Sequence, residues 1–416
     1  MFIKRQRRKI SNIYREYRRS FWVLVGATFI DRLGGSLLFP FFGLYITRKF
    51  GVGMTEVGVL FLLFSLSAFV GNFLGGALTD RIGRKTMLIF GLLASSFSTL
   101  LMGFVESLEV FYLLALVSGI FTDVAGPAHQ AMVADLVPEH KRAEGFGILR
   151  VAFNLAVTIG PAIGGFLAAQ SYLLLFVTDA IISTLTATIV FLFIRETKPK
   201  MQPGHQPETV GATFKGYGRV LRDGTFMLFV FTCILMGLVY MNMNATLGVY
   251  MRDVVGFADP ERAYGLLLSI NAFMVVVLQF PITRRITDKP PLLMMAAGTA
   301  LYAVGFAVYG FVAGYAMFVL AMVIITIGEM VVAPVSQSLT ARFAPEDMRG
   351  RYMAVFGISW GLPFAIGPLL AGGIMDGPTP RLLWYAAGFI GLLAVLGFLY
   401  LQRRTRLQEA LPEAEA

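Results

Sequence analysis

The sequence predicts an all-α integral membrane protein. It has twelve transmembrane helices in two six-helix, pseudo-symmetric bundles, with both termini cytoplasmic. Three observations predict this. First, 56% of the 416 residues are hydrophobic and only 14% are charged, whereas soluble domains average about 25% charged. Second, the positive charges gather in alternate loops. Third, a pattern in the first half recurs in the second half at one fixed shift.

The composition excludes a disordered chain. The net charge of +10 is expected in cytoplasmic loops and not on a DNA-binding face, so no nucleic-acid partner is expected. The one cysteine, Cys233, allows no internal disulfide. His129, His140 and His205 lack zinc-ligand spacing, so no metal site is expected.

A membrane-crossing helix needs roughly 20 mostly apolar residues. Such runs fall at about 21–46, 56–79, 87–105, 110–136, 146–168 and 172–194 in the first half, and at about 225–250, 262–282, 292–312, 315–340, 351–374 and 380–401 in the second. Helices are required because unpaired backbone groups cost several kcal/mol in hydrocarbon. A transmembrane barrel would instead show short alternating segments.

The tail 1–20 carries Lys4, Arg5, Arg7, Arg8, Lys9, Arg15, Arg18 and Arg19. Further bases cluster after spans two, four, eight and ten, in the central stretch 195–224, and in the tail 403–416. The intervening loops hold only Arg48, Lys49, Arg252, Arg262 and Arg381. Positively charged loops stay on the cytoplasmic side. The basic tail reads as a retained topology anchor, since the apolar run from Phe21 is too long for a signal peptide.

The stretch 195–224, with Pro199, Pro203, Gly204 and Pro207, reads as a linker. It separates a bundle at 21–194 from a bundle at 225–402. A shift of 207 residues superimposes Pro138 on Pro345, Glu139 on Glu346 and Arg142 on Arg349. The same shift matches Gly160-Pro161 with Gly367-Pro368, Pro127 with Pro334, and Gln130 with Gln337. Two related six-helix halves around a midplane site are a layout of secondary transporters.

After span two comes Gly76-Ala77-Leu78-Thr79-Asp80-Arg81-Ile82-Gly83-Arg84-Lys85-Thr86-Met87-Leu88. Gly76 is expected to let two helices approach closely, and Gly83 to permit a tight turn. Asp80 is expected to face Arg81, Arg84 or the positive end of a neighbouring helix, making a cytoplasmic latch. Asp135 and Arg142 are expected to form a second latch. Span five carries Gly147, Gly160, Pro161, Gly164 and Gly165, small residues suited to close helix contact and a bend at the proline.

These residues resemble the major facilitator superfamily over essentially the whole chain. The thirteen residues from Gly76 fit its loop 2–3 signature at every defining position. The second half has only a worn copy, from Thr283 to Lys289. The span-five pattern is similar to that of the superfamily's drug/proton antiporters, with Ala156 where a glycine is usual. The resemblance implies that spans one, four, seven and ten line a cavity. Those antiporters often carry an arginine four residues before a glycine of span four. Here that place is Ala115, before Gly119, so Arg32 or Arg150 is expected to serve instead.

An ionisable group at bilayer depth costs at least ~2.5–3.5 kcal/mol, which marks it as functional. Asp31, beside Arg32, lies in span one, Asp123 in span four and Glu329 in span ten. With Asn242 and Asn244 of span seven, they are the expected proton-coupling and substrate-cavity residues. Desolvation disfavours a charged carboxylate and a nearby cation favours it, and that competition allows a proton to exchange for a cationic substrate. Neighbours on a helix point about 100° apart, so Asp31 and Arg32 are expected to find partners on other helices. Asp179 is expected to be structural. His129, six residues past Asp123, is expected on a different helix face and outside any relay.

The expected function is proton-coupled antiport by alternating access, exporting amphipathic or cationic drug-like molecules. The 37 Phe and 20 Met suit adaptable apolar walls. The alternative is a metabolite or sugar symporter of the same superfamily. A membrane enzyme or a non-transporting sensor fits less well, since the chain lacks H-E-x-x-H, G-x-S-x-G and P-loop patterns. No cofactor is expected. The expected partners are the lipid bilayer, protons and a small-molecule substrate. The chain is expected to act as a monomer in a bacterial inner membrane.

Overall fold

A computed structural model of the protein describes residues 16–138, 141–197, 217–312, 314–345 and 348–414. Glu139, His140, Glu346, most of the basic tail and most of the linker lie outside the described residues. So do the side chains of Asp80, Arg142 and Arg349.

Twelve helices among the described residues are long and apolar enough to cross a membrane. The first six are Arg19–Phe50, Met54–Gly76, Arg84–Phe104, Leu108–Leu136, Glu144–Gln170 and Tyr172–Phe193. The second six are Gly224–Ala245, Pro260–Ile286, Pro291–Val308, Tyr315–Phe343, Arg351–Met375 and Leu382–Thr405. Each overlaps one expected span. Large apolar side chains cover the outside: Phe69, Phe73 and Phe280 are 76–77% exposed. A surface of that kind suits hydrocarbon and would aggregate in water.

Two spans are interrupted, and the cause is local. Span one passes through a 3-10 turn at Phe39–Phe41, around Pro40. Span four stops at Val124 and restarts at Gly126, with Pro127 in the first turn of the new helix. Proline lacks an N–H, so the carbonyl four residues earlier, that of Asp123, loses its helical donor. The Asp123 carbonyl accepts instead from the Ala125 N–H.

The chain divides into two compact units. The first comprises Met1–Phe41 and Leu63–Met201, and the second Phe42–Leu62 and Gln202–Ala416. In the first unit, span one packs on spans five and six, and span three on spans four and six. In the second, span seven packs on spans eleven and twelve, and span nine on spans ten and twelve. The pairs correspond one for one, so the repeat read in the sequence is also a repeat of packing.

Small residues set these contacts. A methyl group at Gly71 or Gly75 of span two would meet the backbone of Ile120 or Val124 in span four. One at Gly160 or Gly164 would meet Ser36 or Leu37 of span one. Gly165 is buried beside them. Close backbone approach of this kind is how membrane helices gain packing energy. Gly76 and Gly147 have nothing within 4 Å of an added methyl. The close approach expected of Gly76 is therefore made one residue earlier, at Gly75, because Gly76 lies on the next face of the helix.

The tip of the first hairpin, 42–62, is built into the second unit. Asp376, at the end of span eleven, accepts from the backbone N–H of Met54 and of Thr55, each at 2.7 Å. Arg48 donates to Glu261 at 2.9 Å, and Glu261 is almost fully buried. Arg252 donates to the Thr47 hydroxyl at 2.9 Å and to the Leu44 carbonyl at 3.2 Å.

Candidate functional site

The first unit encloses a polar cavity of about 90 Å³ between spans one, three, four and six. Span one supplies Thr28, Asp31 and Arg32, and span four supplies Thr122, Asp123 and His129. Span three contributes Ser95, and span six Ser183 and Thr186. The Ser95 and Thr122 hydroxyls lie 2.9 Å apart. Two carboxylates, a guanidinium and an imidazole thus line one polar cavity inside a helix bundle.

The spacing of these residues corrects two expectations. Asp31 and Arg32 pair with each other, and only Arg32 also reaches another helix, at Phe153 of span five. The Arg32 Nε lies 3.8 Å from an Asp31 oxygen, and the guanidinium also lies over the Phe153 ring at 5.8 Å. Long side chains reach back around the helix where Cβ directions alone would separate them. His129 also joins Asp123 in the cavity. Six residues along an unbroken helix give a separation of about 240°, but the break at Ala125 resets the helical phase. The Gly126-Pro127 pair was the sequence signal for that reset. Arg32 lines the cavity, while Arg150 is on an exposed face and does not.

Asp179 of span six is buried against span one. A methyl group at Gly34 would come 2.6 Å from its carboxylate. Glycine at 34 makes the room for this acid.

The second unit treats its acid differently. The Glu329 carboxylate accepts from the Asn271 amide at 2.8 Å and from the Tyr240 hydroxyl. The same Asn271 amide donates to Thr326 Oγ1 at 3.0 Å. Tyr240 packs on Tyr302 and Trp360 at centroid distances of 5.4 and 6.1 Å. Asn271, on span eight, was not legible as a partner from sequence.

Asn242 was expected to face substrate, and the structure places it otherwise. It is buried, its amide donates to the Leu238 carbonyl at 2.9 Å, and its oxygen accepts from Thr246 at 3.2 Å. The amide is satisfied by its own helix, an alternative open to short polar side chains. Asn244, two residues on, is half-buried.

The loop after span two is a bound structure. Gly83 has φ +120°, a conformation that favours glycine. Its missing side chain admits the Glu196 carboxylate, which accepts from the backbone N–H of Arg84 at 2.9 Å and of Lys85 at 3.2 Å. An acid at a helix N-terminus offsets the unpaired N–H groups there. Lys85 donates to the Phe191 carbonyl at 2.7 Å and covers the Phe191 ring. Arg84 forms an ion pair with Asp135. Asp135 therefore pairs with the first motif, while its expected latch partner Arg142 has its side chain outside the described residues. Arg84 reaches it across spans three and four.

The sequence matches the Major Facilitator Superfamily over residues 24–329 and again over 260–416. The chain belongs to that superfamily. A Na(+), Li(+), K(+)/H(+) antiporter of Planococcus maritimus is 28% identical over 93% of this chain and 96% of its own length. Multidrug resistance protein MdtH of Escherichia coli (strain SMS-3-5 / SECEC) is 25% identical over 90% of this chain and 92% of its own. The crystal structure of the nucleoside transporter NupG matches with TM-score 0.74 at 12% identity, covering 92% of this chain and 99% of that one. At that identity the likeness shows the fold alone. As a member of the superfamily, the protein is an integral, multi-pass membrane transporter and not an enzyme.

Proposed function

We propose that the protein is a proton-coupled antiporter that exports cationic small molecules by alternating access, with its termini in the cytoplasm of a bacterial cell. It works as a monomer without a cofactor, driven by the proton gradient. One proton is worth about 1.4 kcal/mol per pH unit and about 2.3 kcal/mol per 100 mV.

The observation that carries this reading is the charge of the first unit's cavity. With Asp31 and Asp123 ionised and Arg32 charged, the cavity holds a net −1. One proton brings it to neutrality, and so does one monovalent cation. A site that accepts either and not both links the two movements. The antiporter and multidrug names of the relatives support the same reading.

Amphipathic cations are the first substrate class, following the span-five pattern and MdtH. Alkali-metal cations are the second, and a specific observation favours them. Drug-sized pockets run to about 300–1,000 Å³, and this cavity offers about 90 Å³. It fits an ion with its waters.

The test uses purified protein in liposomes with an internal pH dye. Ethidium or a sodium, lithium or potassium salt is added, and substrate-dependent proton movement is followed. Proton movement with ethidium supports drug antiport, and with a salt alone alkali-cation antiport. Proton movement with neither, alongside uptake of a sugar or amino acid, overturns the antiport reading.

A further inference from the structure

His129 is a half-buried basic group that the charge balance of the cavity does not use. Its Nε2 lies 2.8 Å from the Thr28 hydroxyl oxygen. The Thr28 hydroxyl donates its one hydrogen to the Leu24 carbonyl, also at 2.8 Å. A hydroxyl has a single donor; with it on Leu24, the His129 contact runs from imidazole to threonine. That pairing corresponds to the tautomer in which Nε2 carries the proton and Nδ1 keeps its lone pair. Fixing one ring nitrogen defines the work left to the other.

We propose that His129 is the proton-transfer residue of this cavity, and this rests on the proton-coupled reading above. A proton entering the cavity adds to the Nδ1 lone pair and gives an imidazolium. Nε2–H stays on Thr28 throughout. The Nδ1 proton then passes to a carboxylate oxygen of Asp123 or Asp31, directly or through cavity water. The ring returns to its starting tautomer and the carboxylate becomes a neutral acid. The charged and titratable groups around the ring are Asp31 and Arg32 of span one, Asp123 of its own span, and Asp179 of span six behind Asp31. Span three presents the Ser95 hydroxyl. The cavity has room for several waters. Arg32 sits in the same space, so a proton held on the ring is repelled toward the carboxylates. That suits a residue that hands a proton on and does not store it.

Two variants separate transfer from packing. His129→Gln places an amide N–H where Nε2–H was, so it keeps the donor to Thr28 and cannot carry a proton. Thr28→Val keeps the shape and removes the acceptor that fixes the tautomer. In proteoliposomes, His129→Gln should cut proton-driven ethidium or cation flux by at least about tenfold. It should lower substrate-for-substrate exchange at equal pH far less, because exchange needs no net proton transfer. Thr28→Val should slow only the proton-driven flux, and by less. Parallel loss of both activities, or loss of neither, overturns the proposal. Nitrogen NMR of histidine-labelled protein, with His140 and His205 replaced by Asn, reads the tautomer without any transport. A neutral ring with hydrogen on Nε2 is expected, and one with hydrogen on Nδ1 or a permanently charged ring overturns the proposal. If the wild type moves no protons with any substrate, the antiport reading fails, while the NMR result still decides the tautomer.

Discussion

Replacing Asp376 with alanine should loosen the first turn of span two and leave the rest of the second unit in place. The Asp376 carboxylate accepts from two consecutive backbone groups, Met54 N–H and Thr55 N–H, at 2.7 Å each. These are among the N–H groups that a helix cannot satisfy internally. Hydrogen bonds to a charged group reach about 1.5–3 kcal/mol each, but Asp376 is exposed and water competes for both donors. The loss of an N-cap, about 0.5–2 kcal/mol, is the better measure. That corresponds to roughly 2- to 30-fold faster opening of the turn. Amide hydrogen exchange resolved to peptides covering 54–60 reads it directly. Asp376→Asn should fall between wild type and alanine, because it keeps one acceptor oxygen and loses the charge. Unchanged exchange in the alanine variant would refute the cap. The consequence reaches transport, because spans one and two each pass from one compact unit to the other, at Phe41/Phe42 and Leu62/Leu63. A looser tip should therefore alter turnover without altering substrate affinity.

Gly83→Ala should destabilise the protein by about 1–3 kcal/mol, as strained backbone positions do, because φ is +120° and the new methyl would meet Glu196 at 2.5 Å. Thermal unfolding in detergent checks this, and Glu196→Ala in the same chain should recover part of the loss. Gly75→Ala and Gly76→Ala should differ sharply despite being neighbours. The first drives a methyl into the span-four backbone at Val124, while the second meets open space and should gain up to about 1 kcal/mol in helix propensity. The yield and melting temperature of folded protein separate the two, and equal effects would refute the packing argument.

The spans were legible because membrane thickness fixes a length of apolar chain that few other constraints imitate. Asp31, Asp123 and Glu329 were legible because burial in lipid is costly enough to make an acid conspicuous. What they touch was not legible. Asp135 pairs with Arg84, 51 positions away. Neither residue signals the other, because the pairing depends on how spans three and four are rotated about their axes. Glu196 and Asp376 cap helices that begin far from them in the chain. Both sit beside a glycine that precedes the capped helix, Gly83 and Gly53, and an acid placed at the same membrane face as a glycine-led helix start is a readable hint. The few bases outside the clustered loops look different once placed. Arg48, Arg252 and Arg262 are held by Glu261, Asp253 and Asp259.

Asp123 and Glu329 stand 206 residues apart in the repeat, and sequence alone gives them equal standing. Their surroundings do not. Asp123 faces a cavity whose charge balance it sets together with Asp31 and Arg32. Glu329 is half-buried and hydrogen-bonded to Asn271 and Tyr240, beside a cluster of aromatic rings. Asp123→Asn changes the cavity from a net −1 to neutral, and removes its reason to exchange a proton for a cation. Glu329→Gln keeps an acceptor oxygen for the Asn271 amide and turns an N–H toward the Tyr240 oxygen, so the local network survives. Asp123→Asn should therefore abolish proton-linked flux and weaken cation binding, and Glu329→Gln should lower the flux only several-fold. Parallel measurements of substrate-induced proton release and of ligand binding in the two variants decide the order. If Glu329→Gln proves the more damaging of the two, coupling resides in the second unit, and the charge argument built on the cavity of the first is wrong.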